Sequence, residues 1–173
     1  MKTVVGVFMD EKTADEAITA LQSDGFDHNH IGLVAHEEVL QKVDRQEEIE
    51  EGTVTVDQEL GTVGGAAVGG LTGLLIGVGA LVIPGLGPIL AAGTLSTALG
   101  TVLAMTGMGA ATGGLVGALT SVGVTEEDAK TYANKVKEGG ILVVVEVYDE
   151  RVPVISEILK QAGAVEVRYS SSE

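Results

Sequence analysis

Residues 60–93 read LGTVGGAAVGGLTGLLIGVGALVIPGLGPILAAG, and the way this stretch folds decides how the rest of the chain is put together. It opens a run from Leu60 to Thr125, 66 residues without one Asp, Glu, Lys, Arg or His. Of the 25 glycines, 18 fall in that run, while all 25 acidic and 10 basic residues lie outside it. Gly61, Gly65, Gly69, Gly73 and Gly77 recur at every fourth position. Residues four apart stack along one face of an α-helix, so these glycines pave a groove that another backbone can approach closely. Small residues at this spacing in an apolar segment are the mark of tight helix pairing.

The stretch Ile83-Pro84-Gly85-Leu86-Gly87-Pro88-Ile89 interrupts the run. Pro84, Gly85, Gly87 and Pro88 cannot sit inside a helix and suit a tight reversal. The expected arms are helices from Gln58 to Ile83 and from Ile89 to Val124, about 39 Å and about 54 Å long at the helical rise. The second arm continues the small-residue register through Gly93, Thr97, Thr101, Met105, Gly109, Gly113, Gly117 and Ser121. The expected structure is an α-helical hairpin that self-associates through Gly61, Gly65, Gly69, Gly73, Gly77, Gly109, Gly113 and Gly117.

The flanks on either side resemble each other. Thr3 to Met9 reads as a strand, with Asp10 as N-cap of a helix from Glu11 to Asp24 and Gly25 ending it. Ala14, Ala17, Ile18 and Leu21 form its apolar face, and Ile31 to Ala35 is the second strand. In the second flank Ile141 to Tyr148 is a strand, followed by a helix with Pro153 in its first turn, Gly163 at its end and a last strand from Val165 to Tyr169. Each flank is a βαβ unit, and two such units make a ferredoxin-like sandwich, one sheet covered by two helices. The fold class expected is therefore α+β: a ferredoxin-like βαβ + βαβ sandwich interrupted by the hairpin. The divisions are residues 1–57 (first half and acidic connector), 58–124 (hairpin) and 125–173 (second half). Connectors join them: an acidic amphipathic helix within Glu37 to Glu51, and a helix capped by Thr125 that buries Ala129, Tyr132, Ala133 and Val136. On this reading, deleting Leu60 to Val124 leaves a soluble sandwich.

Each arm of the hairpin supplies the roughly 20 apolar residues of a membrane span. Against that, the run has no Trp or Tyr for an interfacial belt, Glu59 and Glu126 flank it, and no Lys or Arg lies near its ends. Helices apolar on all sides need either lipid or an oligomer to cover them. A net charge of −15 argues against general affinity for nucleic acid. The N-terminal apolar stretch is too short for a signal peptide, which places the start of the chain on the cytoplasmic side.

Chemistry is sparse. The chain has no Cys, hence no disulfide, thiolate nucleophile or thiolate metal site. His28-Asn29-His30 with His36 reads as a polar loop entering a strand before it reads as a metal site. No phosphate-loop, hydrolase or calcium-loop motif is present. No catalytic, cofactor or metal residue is assigned, and an enzyme is not expected.

The TVVGVF-D opening, the glycine-rich insert with IPGLGPILAAG and the segment GVTEEDAKTYANKVKEGGILVVV resemble the heat-induced general-stress-protein domain family. The resemblance implies a stress-associated role and no catalytic residues. The function expected is a non-enzymatic, membrane-associated homo-oligomer with its domain facing the cytoplasm, its partners being itself and a lipid bilayer. The alternative is a soluble self-assembling ring, filament or shell with the hairpins buried between subunits. A third class is a sandwich domain that binds a small ligand or regulatory partner, for which the sequence offers no pocket signature.

Overall fold

The computed structural model describes residues 2–27, 30–39, 79–83, 87–95, 98 and 113–170. The protein is α+β, with one antiparallel six-stranded sheet in the order β3-β4-β2-β5-β1-β6. The strands are β1 (Lys2–Phe8), β2 (Ile31–His36), β3 (Gly79–Ile83), β4 (Gly87–Gly93), β5 (Ile141–Val147) and β6 (Glu166–Ser170). The helices are α1 (Glu11–Ser23), α2 (Gly113–Ser121), α3 (Glu126–Lys137) and α4 (Val152–Gln161), with a 3-10 turn at Asp149–Arg151 before α4.

The two flanks interlock. β5 pairs antiparallel with both β1 and β2, and β1 pairs antiparallel with both β5 and β6. Each βαβ unit thus leaves a one-strand gap that a strand of the other unit fills. Neither half has a continuous sheet without the other, which is the physical reason they fold together. The expected helix starts hold: Asp10 accepts a hydrogen bond from the Lys12 amide at 2.8 Å, and Thr125 accepts one from the Asp128 amide at 3.3 Å.

Alternation along the strands divides the core in two. Val4, Phe8, Leu33, Val143 and Val145 face α1 and α4, packing on Ile18, Leu21, Ile155 and Leu159. Val5, Val7, Val34, Leu142 and Val144 face the opposite way, onto Leu115 and Leu119 of α2 and Tyr132 and Val136 of α3. The sheet is therefore covered on both sides, a three-layer arrangement in place of the expected sheet with helices on one face. α3, expected as a connector, is part of the second layer.

The helical hairpin is corrected where the structure describes it. Residues 79–83 and 87–93 are strands, and the reversal joins them as a β-hairpin, with Ile83 opposite Gly87 and Val82 opposite Pro88. β4 extends the sheet beside β2, placing Ala91 opposite Val34 and Leu90 opposite Ala35. The physical cause is the burial of apolar positions on both faces, which a short run of Ile, Leu and Ala satisfies as readily in a strand as in a helix. Gly93, at φ +65°, ends β4 in a conformation that suits glycine. The chain then folds Thr94 and Leu95 over Gly32, where an added Cβ would stand 2.6 Å from Thr94 Oγ1 and 2.9 Å from Leu95 Cγ. Leu95 is fully buried there. Residues 87–95 and α2 consequently belong to the same core as the flanks. A deletion of Leu60 to Val124 would leave only α3 to cover the second face of the sheet.

Of the acidic connector, Glu37 to Val39 are helical and Val39 packs against the first core; the remainder lies outside the described residues.

Candidate functional site

Gly61, Gly65, Gly69, Gly73, Gly77 and Gly109, with Pro84 and Gly85 of the reversal, lie outside the described residues. Gly87 and Pro88 lie on β4, and Gly113 and Gly117 on α2. On α2 the inward residues are Leu115, Ala118 and Leu119, whereas Gly117 is half-buried and Ser121 exposed. Gly113, Gly117 and Ser121 are four apart and so form one stripe along the helix. Its polar groups are satisfied locally: the Thr120 hydroxyl donates to the Gly117 carbonyl at 2.9 Å, and Ser121 to the Ala118 carbonyl at 2.7 Å. The stripe carries neither charge nor a free hydroxyl donor, which suits close apolar packing. The Thr3 hydroxyl donates to the Val122 carbonyl and ties the end of α2 to β1.

α2 spans about 14 Å at the helical rise, against a hydrocarbon core of about 30 Å. Among the described residues no helix is long and apolar enough to cross a membrane.

A polar network clamps β6 to α3. The Lys135 ammonium donates to Glu166, and Arg168 bridges from Glu166, at 2.5 Å, to Asp128, at 3.0 Å. The hydrogen bond from Lys135 holds the Glu166 carboxyl below the usual range. Tyr132 lies under this network with its ring 2% exposed. Burial, followed by the Asp128 and Glu166 carboxylates, pushes its phenol up to about 12. Every member has a structural partner, and none is set beside a nucleophile.

Among the described residues, two grooves stand out on the sheet's α1/α4 side. One, of about 230 Å³, is lined by Phe26, His30, Glu146, Tyr148 and Arg151. Its cation is already engaged, since Arg151 pairs with Asp24 and stacks 4.8 Å from the Phe26 ring centre. The other, of about 460 Å³, runs between α4 and the edge strand β6. Neither is marked by a local pattern, because their residues come from elements far apart in the chain. His30 precedes β2 and His36 ends it, about 20 Å apart at the extended-strand rise, so these two do not converge; His28 and Asn29 lie outside the described residues. No group of three or more potential metal ligands occurs among the described residues.

Comparison with protein-family models, with curated proteins and with solved structures finds no match to this chain.

Proposed function

We propose that this chain is a non-enzymatic structural protein in which a ferredoxin-like domain self-associates through its charge-free, glycine-rich segment. The ferredoxin-like reading is supported by the contiguous order β2-β5-β1-β6, with each βαβ unit enclosing a strand of the other. The observation that carries self-association is the 66-residue run without a charge, part of which forms the small-residue stripe of α2. An uncharged stripe of this kind buries well only against another backbone.

Assembly without lipid is the form the geometry favours. A membrane hairpin needs its reversal on the far side of the bilayer, yet residues 79–83 and 87–93, on either side of that reversal, are hydrogen-bonded into the domain's own sheet. A membrane-associated oligomer is the second reading, favoured by the charge-free run from Leu60 to Val78. A stress-associated role rests on the resemblance of the sequence alone.

Light scattering on the detergent-free protein tests this reading. The expected mass is a multiple of 17.6 kDa, and Gly113→Leu/Gly117→Leu should dissociate the assembly while leaving the circular dichroism unchanged. A stable wild-type monomer overturns self-association. Flotation with phospholipid vesicles in place of a soluble assembly selects the membrane form.

A further inference from the structure

We propose that the groove between α4 and β6 binds a small organic monocarboxylate with an apolar body. Val152, Ser156 and Lys160 lie four apart on α4 and so share one helix face along the groove. Across from them stand Val167 and Tyr169, two apart on β6 and therefore on one face of the sheet. Lys2 of β1 closes one side, its ammonium 5.8 Å from the centre of the Tyr169 ring.

Three features select the ligand. The first is a cation without an ion pair. Lys2 is paired with Asp149 at 3.3 Å, while the Glu157 carboxylate, on the rim, accepts from the neutral Gln161 amide at 3.0 Å and keeps its charge. Lys160 has no ion pair among the described residues, so it is the groove's one ammonium not tied to a carboxylate and free to meet that of a ligand. Lys12 and Lys137 are also without an ion pair there, but neither lines the groove.

The second feature is a hydroxyl without a bond. Ser156 lines the groove, yet its Oγ is turned inward, buried and without a hydrogen-bond partner. Rotation about its Cα–Cβ bond breaks no hydrogen bond and carries the hydroxyl toward the groove, one helical turn from the Lys160 ammonium. A carboxylate placed there accepts from both groups.

The third is apolar surface. Val152 and Val167 form the floor, and the Tyr169 side chain stands 60% exposed at the mouth. An aromatic or branched aliphatic body of a few carbons covers that surface, and a single carboxylate matches the single free cation. A dianion such as phosphate leaves one charge unmatched and the apolar wall uncovered. All of these residues lie in the charged flanks, so the site stands or falls apart from self-association.

Calorimetric titration of the full chain with 3-phenylpropionate tests the proposal. The expected result is one saturable event per chain. Two controls, 3-phenylpropan-1-ol (the body without the charge) and propionate (the charge without the body), should each bind at least about tenfold more weakly, the cost of losing a charged hydrogen bond or the apolar contact. Lys160→Gln should weaken binding by a similar factor, Ser156→Ala by a few-fold, and Lys12→Gln should match the wild type. Absence of saturable heat overturns the site. So does undiminished binding by Lys160→Gln or by either control, or an equal loss in Lys12→Gln, which marks a general charge effect.

Discussion

The two faces of the sheet are covered by different kinds of sequence. One face carries α1 and α4, helices from the charged flanks, each with an apolar stripe and a polar outer side. The other carries α3 together with Leu95 and α2, which come from a segment with no charge at all. In isolation that segment looks like a membrane anchor. In the fold, its described parts are uncharged because they supply a strand inside the sheet and cover for its second face. A charge-free stretch is thus evidence of burial, and the sheet rather than lipid provides it for residues 87–95 and 113–121.

The largest test of this contrast removes the segment. Deleting residues 60–124 takes Ile89, Leu95, Leu115 and Leu119 from the second core but only Leu90 and Ala92 from the first. Losing one large buried aliphatic typically costs about 2–5 kcal/mol, so four together cost about 8–20 kcal/mol, as much as or more than the ~5–15 kcal/mol by which domains are stable. The shortened chain should therefore show no cooperative urea transition. A cooperative transition in it would mean that the flanks cover both faces unaided.

A finer comparison sets one glycine on each face. At Gly32 an added Cβ meets Thr94 and Leu95 at 2.6 and 2.9 Å; at Gly6 it meets Phe8 and Leu159 at 3.1 and 3.2 Å. Gly32→Ala should cost about 1–3 kcal/mol by overpacking. Gly6→Ala should cost less, because its neighbours need yield only slightly. Chemical denaturation ranks the two, and equal costs would mean that Leu95 does not dock on β2.

Much of this division was legible in the sequence. Asp10, Gly25, Thr125, Pro153 and Gly163 mark the helix ends of the flanks, and the apolar stripes of α1 and α3 follow from their spacing alone. The second helical layer was legible too, in a signal that the one-sided sandwich passed over. Ile141-Leu-Val-Val-Val145 has no polar alternation, which is how a strand buried on both faces reads. β3 and β4 were not legible. A five-residue apolar run has no periodicity that separates helix from strand, and the glycine register on either side carried the helical reading across it. The groove at α4 and β6 depends on tertiary placement of Lys2, Ser156 and Tyr169, which no local pattern encodes.

The smallest effect is expected in the pH dependence, where α3 and β6 meet. The Tyr132 phenol is raised in the fold, so its contribution is complete below pH 10 and is lost as pH rises toward about 12. The Glu166 carboxyl is lowered, so its contribution is complete above its ordinary value and fades as pH falls through the folded one. Tyr132→Phe should flatten the alkaline limb of the stability profile alone, and Glu166→Gln the acid limb. A Tyr132→Phe profile that still falls between pH 10 and 12 as the wild type does assigns that limb to another group.

Residues 87–93 lie in the sheet beside β2, and the absence of Cys from the chain allows that placement to be tested by cross-linking. Val34 and Ala91 stand opposite each other in the β2–β4 register and both face the second core. Directly opposed strand residues have Cα atoms about 4.5–5.5 Å apart, within disulfide reach. Val34→Cys/Ala91→Cys should form an intramolecular disulfide on mild oxidation, read by mass spectrometry. Val34→Cys/Leu90→Cys, shifted by one residue and set on opposite faces, should not. A matched pair that stays reduced, or a shifted pair that closes equally well, contradicts the account.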